Sequence, residues 1–87
     1  MKCAMLYQNT PGFMEKAPPF IEQHRARIAA VHGRGLLLMT GPLTDGNGAM
    51  GLFTTRESAD EFARGDPFVL NGVVASWEVR EWREVLA

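Results

Sequence analysis

Runs of apolar residues closed by turn formers divide the chain into four predicted strands. The first covers residues 3–8 and ends at Asn9-Thr10-Pro11-Gly12, a sequence typical of a turn. The second covers residues 36–40 and is closed by Gly41-Pro42, and the third covers residues 49–54. The last and longest strand covers residues 73–82. We therefore expect a sheet of four short strands.

Two helices are predicted between these strands. Pro18-Pro19 suits the first turn of a helix, where the missing amide hydrogens cost nothing, and helix-forming residues continue to residue 32, just before Gly33. The second helix has Thr55 or Ser58 as its N-cap, continues to residue 63 and ends at Gly65. Helices therefore alternate with strands in each half of the chain.

The order strand, helix, strand, strand, helix, strand predicts the fold class. Two β-α-β units joined by a hairpin are typical of the α+β ferredoxin-like fold, βαββαβ. Right-handed crossovers would place both helices on one face of a four-stranded antiparallel sheet. We expect residues 1–87 to form this single domain.

Apolar residues occupy both faces of the predicted sheet, although the helices cover only one. The first strand offers Ala4 and Leu6 to one face and Cys3, Met5 and Tyr7 to the other. The next two strands follow the same alternation: Leu36 and Leu38 oppose Leu37 and Met39, and Phe53 opposes Met50 and Leu52. A bare apolar face is more stable when another sheet covers it. We therefore expect a homodimer whose sheets pack face to face.

Composition and charge exclude several classes of function. The chain has 87 residues, of which 46% are hydrophobic and 22% charged, and its net charge is −1. It lacks the basic stripe that nucleic-acid binding requires, and its apolar runs are far shorter than the ~20 residues of a membrane-spanning helix. A single cysteine excludes an intrachain disulfide, and the first residues do not resemble a signal peptide. We expect a cytoplasmic protein with no nucleic-acid or membrane partner.

Three familiar motifs carry no chemistry in this sequence. Residues 46–51 match the letters GxGxxG, but they lead into a strand and not into the helix that a dinucleotide site requires. We interpret them as a hairpin loop. His24 and His32 are about 12 Å apart along one helix, so we expect no metal site. Cys3 is interpreted as a small buried hydrophobic residue.

His24 is the first candidate functional residue. At about 100° per residue, Phe20, Ile21, Ile28 and Val31 fall on one stripe of the first helix, and His24 projects from the middle of that stripe. Two interpretations stay open. His24 is either a core histidine bonded to a backbone carbonyl or a titratable group in a cleft between helix and sheet.

Arg27 and Asp66 each have a structural and a functional interpretation as well. Arg27 lies one turn beyond His24, and it either meets an anionic substrate group or extends to solvent. Asp66 precedes Pro67, which breaks the helical geometry, and an aspartate there is ordinarily an N-cap. In the predicted fold this break lies beside the first helix. A carboxylate there would also be able to orient His24 by accepting a hydrogen from one ring nitrogen.

Three segments carry a resemblance to a known family: His24-Arg25-Ala26-Arg27, residues 35–43 with the sequence GLLLMTGPL, and Asp66-Pro67-Phe68 followed by Gly72-Val73. With these three segments in this order, the chain resembles the YCII-related family of small dimeric α/β proteins over nearly its whole length. The resemblance implies a dimeric α/β barrel with a His/Asp active site, which falls on His24 and Asp66. The loop at residues 44–48 is shorter than in many relatives, so no contact from that loop is transferred.

The expected function is acid–base chemistry without a cofactor. His24, oriented by Asp66, would remove a proton from a small cyclic or hydroxylated aromatic substrate, and elimination or isomerisation would follow. The expected substrate-binding residues are Arg27, Gly41, Pro42 and Phe68, with Phe20 and Met39 in the apolar wall. Relatives in the family have been linked to dehydrochlorination of hydroxylated aromatics, which fits this reaction class, but nothing in the sequence selects chlorine or a particular ring. The alternatives are a non-catalytic small-molecule-binding or accessory module and a cofactor-free monooxygenase.

Overall fold

A computed structural model describes residues 1–86 of the chain. The elements in chain order are β1 (Lys2–Asn9), α1 (Phe13–Lys16), a 3₁₀ turn (Pro18–Phe20), α2 (Ile21–Gly33), β2 (Leu37–Pro42), β3 (Gly48–Phe53), α3 (Arg56–Gly65), α4 (Pro67–Leu70) and β4 (Val74–Trp82). The four strands form one antiparallel sheet in the order β2-β3-β1-β4. This is the α+β ferredoxin-like fold that the sequence predicts.

The largest differences from the prediction concern the start of the first long helix, two short helices and the end of β2. The first long helix begins at Ile21 and not at Pro18, because residues 18–20 form a 3₁₀ turn. The short helices α1 and α4 occupy segments for which no helix was predicted. β2 continues through Gly41 and Pro42 and pairs them with β3, although these residues were expected to close the strand. Proline is tolerated there because β2 lies at the edge of the sheet.

The hydrophobic core lies between the sheet and one layer of helices. Cys3, Met5 and Tyr7 alternate along β1 and are all buried on this face. The helices α2 and α3 pack against these side chains; α2 contributes Ile28 and Val31, and α3 contributes Ala59, Phe62 and Ala63. Both long helices therefore cover the same face of the sheet, as the predicted crossovers require.

A β-bulge in β2 corrects one part of the predicted pattern. Leu37 pairs with Phe53, but Met39 pairs with Leu52, so one extra residue lies in β2 between the two pairs. The strict alternation placed Leu37 and Met39 on the same face, and this is wrong. The bulge turns Met39 to the face away from the helices, where 65% of its surface is exposed.

The face of the sheet opposite the helices, here called the outer face, carries Ala4 and Leu6 from β1, Met39 from β2 and Met50 from β3. On β4, the residues that alternate onto the outer face include the charged residues Glu78 and Arg80. A second copy packed on the outer face remains a prediction. Within residues 1–86, the helices are all too short or too polar to cross a membrane.

Candidate active site

Asp66 lies at the sharp junction between α3 and α4. Its backbone is extended, with φ −69° and ψ 124°, as expected for a residue that precedes proline. Its side chain accepts a hydrogen bond from the backbone N–H of Phe68 and therefore caps α4. The residue is fully buried, with 0% of its surface exposed. Burying a carboxylate costs several kcal/mol unless hydrogen bonds compensate, so its partners determine whether this arrangement is stable.

Three donors surround the Asp66 carboxylate. Oδ1 accepts from the Phe68 N–H at 3.0 Å and lies 2.7 Å from Nδ1 of His24, and Oδ2 accepts from the Tyr7 hydroxyl at 2.7 Å. An ionised carboxylate can only accept hydrogen bonds, so Nδ1 of His24 carries the hydrogen of this contact. In neutral His24 the lone pair is then on Nε2. The N-cap and the histidine-orienting interpretations of Asp66 therefore describe one geometry.

The His24 ring is held from α2 by contacts on its face, its edge and Nδ1. It stacks on Phe68 with the ring centroids 3.9 Å apart and the planes 10° from parallel, and the Phe62 ring lies 6.4 Å away in an edge arrangement. About 18% of the side chain is exposed. Within residues 1–86 no side chain or carbonyl bonds to Nε2, and no buried side-chain nitrogen or oxygen lacks a partner. Nε2 is therefore accessible to a ligand.

A cavity of about 440 Å³ lies between α2 and the sheet, and His24 and Tyr7 are part of its wall. This volume falls within the ~300–1,000 Å³ of typical small-molecule sites. Most of the wall is apolar, and its principal members are Phe13, Ile21, Ile28, Ala49, Phe68 and Val73. The imidazole is thus one of a few polar groups at the surface of an apolar cavity.

Tyr7 is a member of the site that the sequence did not identify. Burial, the hydrogen bond to Asp66 and the negative charge of Asp66 raise the pKa of its phenol, and the positive charge of Arg27 opposes them only weakly. The phenol is therefore a neutral donor to the carboxylate. The sequence did contain a feature that indicates Tyr7, because a tyrosine at the end of the buried stripe of β1 needs a hydrogen-bond partner in the core.

Arg27 does not line the cavity. Its Nε donates to the carbonyl of Phe62 at 3.2 Å, and a terminal nitrogen donates to the carbonyl of Glu61 at 2.8 Å. The guanidinium also lies over the Phe62 ring and against Gly65, where a Cβ atom would stand 2.8 Å from Cζ. Carbonyls in the last turn of a helix need donors from outside it. The structure therefore gives Arg27 a capping role at the end of α3 and does not bring it to the predicted substrate pocket.

Gly41, Pro42 and Phe68 do lie in the cavity wall, where they were expected. The predicted wall residues Phe20 and Met39 do not, because Phe20 belongs to the 3₁₀ turn and the bulge turns Met39 to the outer face. Arg25, which the sequence analysis did not select, lines the cavity instead of Arg27. In the described part of the chain, no three His, Cys, Asp or Glu side chains are grouped as metal ligands.

Comparison with known proteins places this geometry in a family. The YCII-related domain matches residues 1–83. A solved structure with the same fold is the 5-chloro-2-hydroxyhydroquinone dehydrochlorinase TftG from Burkholderia phenoliruptrix AC1100, in complex with 2,5-dihydroxybenzoquinone. The two chains share 18% identity with a TM-score of 0.78 over 95% of this chain and 94% of the other. No curated protein matches the sequence. On the match over residues 1–83, the chain belongs to the YCII-related family.

Proposed function

We propose that this chain is a cofactor-independent acid–base enzyme of the lyase or isomerase type, acting on a small cyclic or hydroxylated aromatic molecule. The observation that supports this is the 2.7 Å contact between Nδ1 of His24 and Oδ1 of Asp66 at the wall of an apolar cavity. The pair leaves Nε2 as the one basic atom of the ring that a substrate can reach. The dehydrochlorinase TftG, which shares the fold, is named for an elimination reaction.

The proposed reaction starts when Nε2 of His24 takes a proton from the bound substrate. In an elimination, which on a hydroxylated ring proceeds from the non-aromatic keto tautomer, the pair of electrons from the broken C–H or O–H bond forms a new double bond, and the leaving group departs with its own bonding pair. In an isomerisation, the same imidazolium returns the proton to another atom of the substrate. Asp66 stabilises the imidazolium through the contact of its Oδ1 with Nδ1 of His24, as the acid of a catalytic triad does.

The size and polarity of the cavity support a substrate with one ring. A single substituted six-membered ring fits within about 440 Å³ with room to spare. The apolar wall excludes water and leaves His24, Tyr7 and a few other polar groups to orient the ligand. General-base assistance contributes about 10²–10⁴-fold. This is sufficient for a substrate with an activated proton, such as a chlorinated hydroxyquinol or a cyclic enone.

The test of this proposal compares the two histidines of α2. His24→Gln and His32→Gln are assayed on a panel of hydroxylated aromatics that includes 5-chloro-2-hydroxyhydroquinone, with chloride release and absorbance as readouts. His32 is the matched control, because its Nδ1 contacts the backbone carbonyl of Leu37 and does not face the cavity. We expect His24→Gln to lower kcat by roughly 10²–10⁴-fold, and His32→Gln to leave kcat unchanged.

Two outcomes contradict the proposal. If His24→Gln loses its fold, measured by near-ultraviolet circular dichroism, together with its activity, then His24 is a core residue. If the unmodified protein binds compounds of the panel but converts none of them, the protein is a small-molecule-binding or accessory module. Circular dichroism of the variant identifies the first result, and ligand-observed NMR of the unmodified protein with the same panel identifies the second.

We also propose that a second copy of the chain covers the outer face. Met39, Met50 and Leu6 form an apolar surface there, and a small domain gains stability by covering it. A two-fold axis brings the same patch of both copies together. Glu78 and Arg80 carry opposite charges on this face, so two copies related in this way are able to pair them.

A further inference from the structure

The cavity wall carries one permanently positive side chain and no carboxylate. Arg25 follows His24 on α2 and lines the cavity, and it is an exposed residue. No Asp, Glu or Lys belongs to the wall as residues 1–86 define it. Asp66, the nearest acidic group to the imidazole, is fully buried behind the His24 ring. A ligand in the cavity therefore meets a positive potential at the Arg25 side.

Arg25 also differs from its neighbour Arg27 in having no partner within the protein. Arg27 is engaged by two carbonyls of α3. Arg25 forms no ion pair and no side-chain hydrogen bond with any residue of the described range 1–86. Its guanidinium offers five N–H donors, and a flat oxygen anion is the partner that matches their geometry best.

We infer that Arg25 binds an anionic oxygen group of the substrate, a carboxylate or an ionised hydroxyl, at the open side of the cavity whose wall contains His24. The inference rests on the proposed function, since it names the class of substrate for that site. When Arg25 binds the anionic group, the ring of the substrate lies along the apolar wall and points towards Nε2 of His24. Because Arg25 is exposed, solvent and salt screen this attraction in part.

The experiment uses two probes of nearly equal shape, benzoate and the neutral benzamide. Both are titrated into the ¹⁵N-labelled protein, and binding is followed by the NMR shifts of residues in the cavity wall. Arg25→Gln removes the proposed anion-binding charge. Arg34→Gln is the matched control, since it removes the same charge at the C-cap of the same helix, at an exposed residue outside the cavity wall.

We expect benzoate to bind about tenfold more tightly than benzamide, which is the size of one hydrogen bond to a charged group. Arg25→Gln should remove this preference without weakening benzamide, and Arg34→Gln should keep it. Added salt should weaken benzoate binding alone, because screening acts on the charged probe.

Equal affinity for the two probes, an unchanged preference in Arg25→Gln, or no benzoate binding at millimolar concentration overturns the inference. The result is independent of turnover. A preference for benzoate that depends on Arg25, in a protein that converts no compound of the panel, supports the inference and removes the enzyme proposal. Turnover that depends on His24, with no preference for anions, removes this inference and leaves the enzyme proposal.

Discussion

The substitution Tyr7→Phe tests how the protein holds a fully buried carboxylate. It removes one of the three hydrogen bonds to Asp66, the 2.7 Å contact with Oδ2, and keeps the aromatic ring that packs in the core. A hydrogen bond to a charged group contributes about 1.5–3 kcal/mol, and the unsatisfied oxygen is left without water. We expect the free energy of unfolding to fall by about 1.5–3 kcal/mol at pH 7.

The same substitution removes a pH dependence that the raised pKa of Tyr7 predicts. Below pH 10 the phenol keeps its proton in both the folded and the unfolded state, because an unfolded tyrosine titrates near pH 10. Above this pH the unfolded chain loses the proton while the folded protein retains it, since burial and Asp66 raise the folded pKa. Stability from this residue is therefore complete below pH 10 and declines as pH rises, by on the order of 1 kcal/mol at pH 11.

The assay is urea unfolding of both proteins at several pH values, followed by tryptophan fluorescence. Subtracting the two stability curves cancels the contributions that residues other than Tyr7 make to both. Tyr7 is the single tyrosine of the chain, so tyrosinate absorbance of the folded protein reports this residue alone. The reasoning is refuted if tyrosinate appears in the folded protein near pH 10, or if the two proteins lose stability in parallel between pH 7 and pH 11.

Three further predictions concern the site, the sheet and the outer face. Asp66→Asn should lower kcat by roughly 10²–10⁴-fold, because an amide does not fix His24 in the tautomer with hydrogen on Nδ1, and long-range ¹H–¹⁵N spectra should show that tautomer only in the unmodified protein. Gly48→Ala should cost roughly 1–3 kcal/mol in urea unfolding, since its Cβ would overlap the Tyr7 carbonyl oxygen, whereas Gly33→Ala, where the same atom meets open space, should cost nothing. Met39→Lys should lower the mass measured by light scattering from that of a dimer to that of a monomer, and a monomer before the substitution would contradict the proposed assembly.

Local sequence information was sufficient for the order of the four strands and the two long helices. Apolar alternation, the Thr55 cap and the glycines at helix ends act over a few residues, and α3 begins after Thr55, whose Oγ1 accepts from the N–H of Ser58 at 3.1 Å. The β2 bulge was not predictable in this way. It depends on the register that β3 imposes on its neighbour, and it decides that Met39 faces outward.

The candidate site was likewise predictable from the local sequence only in part. Periodicity directed His24 towards the sheet, and the geometry of an Asp-Pro junction gave Asp66 its capping role. Helical periodicity put Arg27 at the edge of the apolar stripe, but it did not separate a side chain that caps α3 from one that faces a cavity. The carbonyls of Glu61 and Phe62 that hold Arg27 come from another helix, so only the packed structure distinguishes it from Arg25.

By itself, then, the sequence determined the fold class and the turn that prepares Asp66, because the pattern of strands and helices and the Asp-Pro junction are both set by residues close together in the chain. The tertiary structure alone decided that a tyrosine completes the group. Tyr7 and Asp66 are 59 residues apart, and His24 and Asp66 are 42 apart. Contacts over such separations form only when the sheet and both helices have packed, so a tyrosine, a histidine and a buried carboxylate become one hydrogen-bonded group through folding.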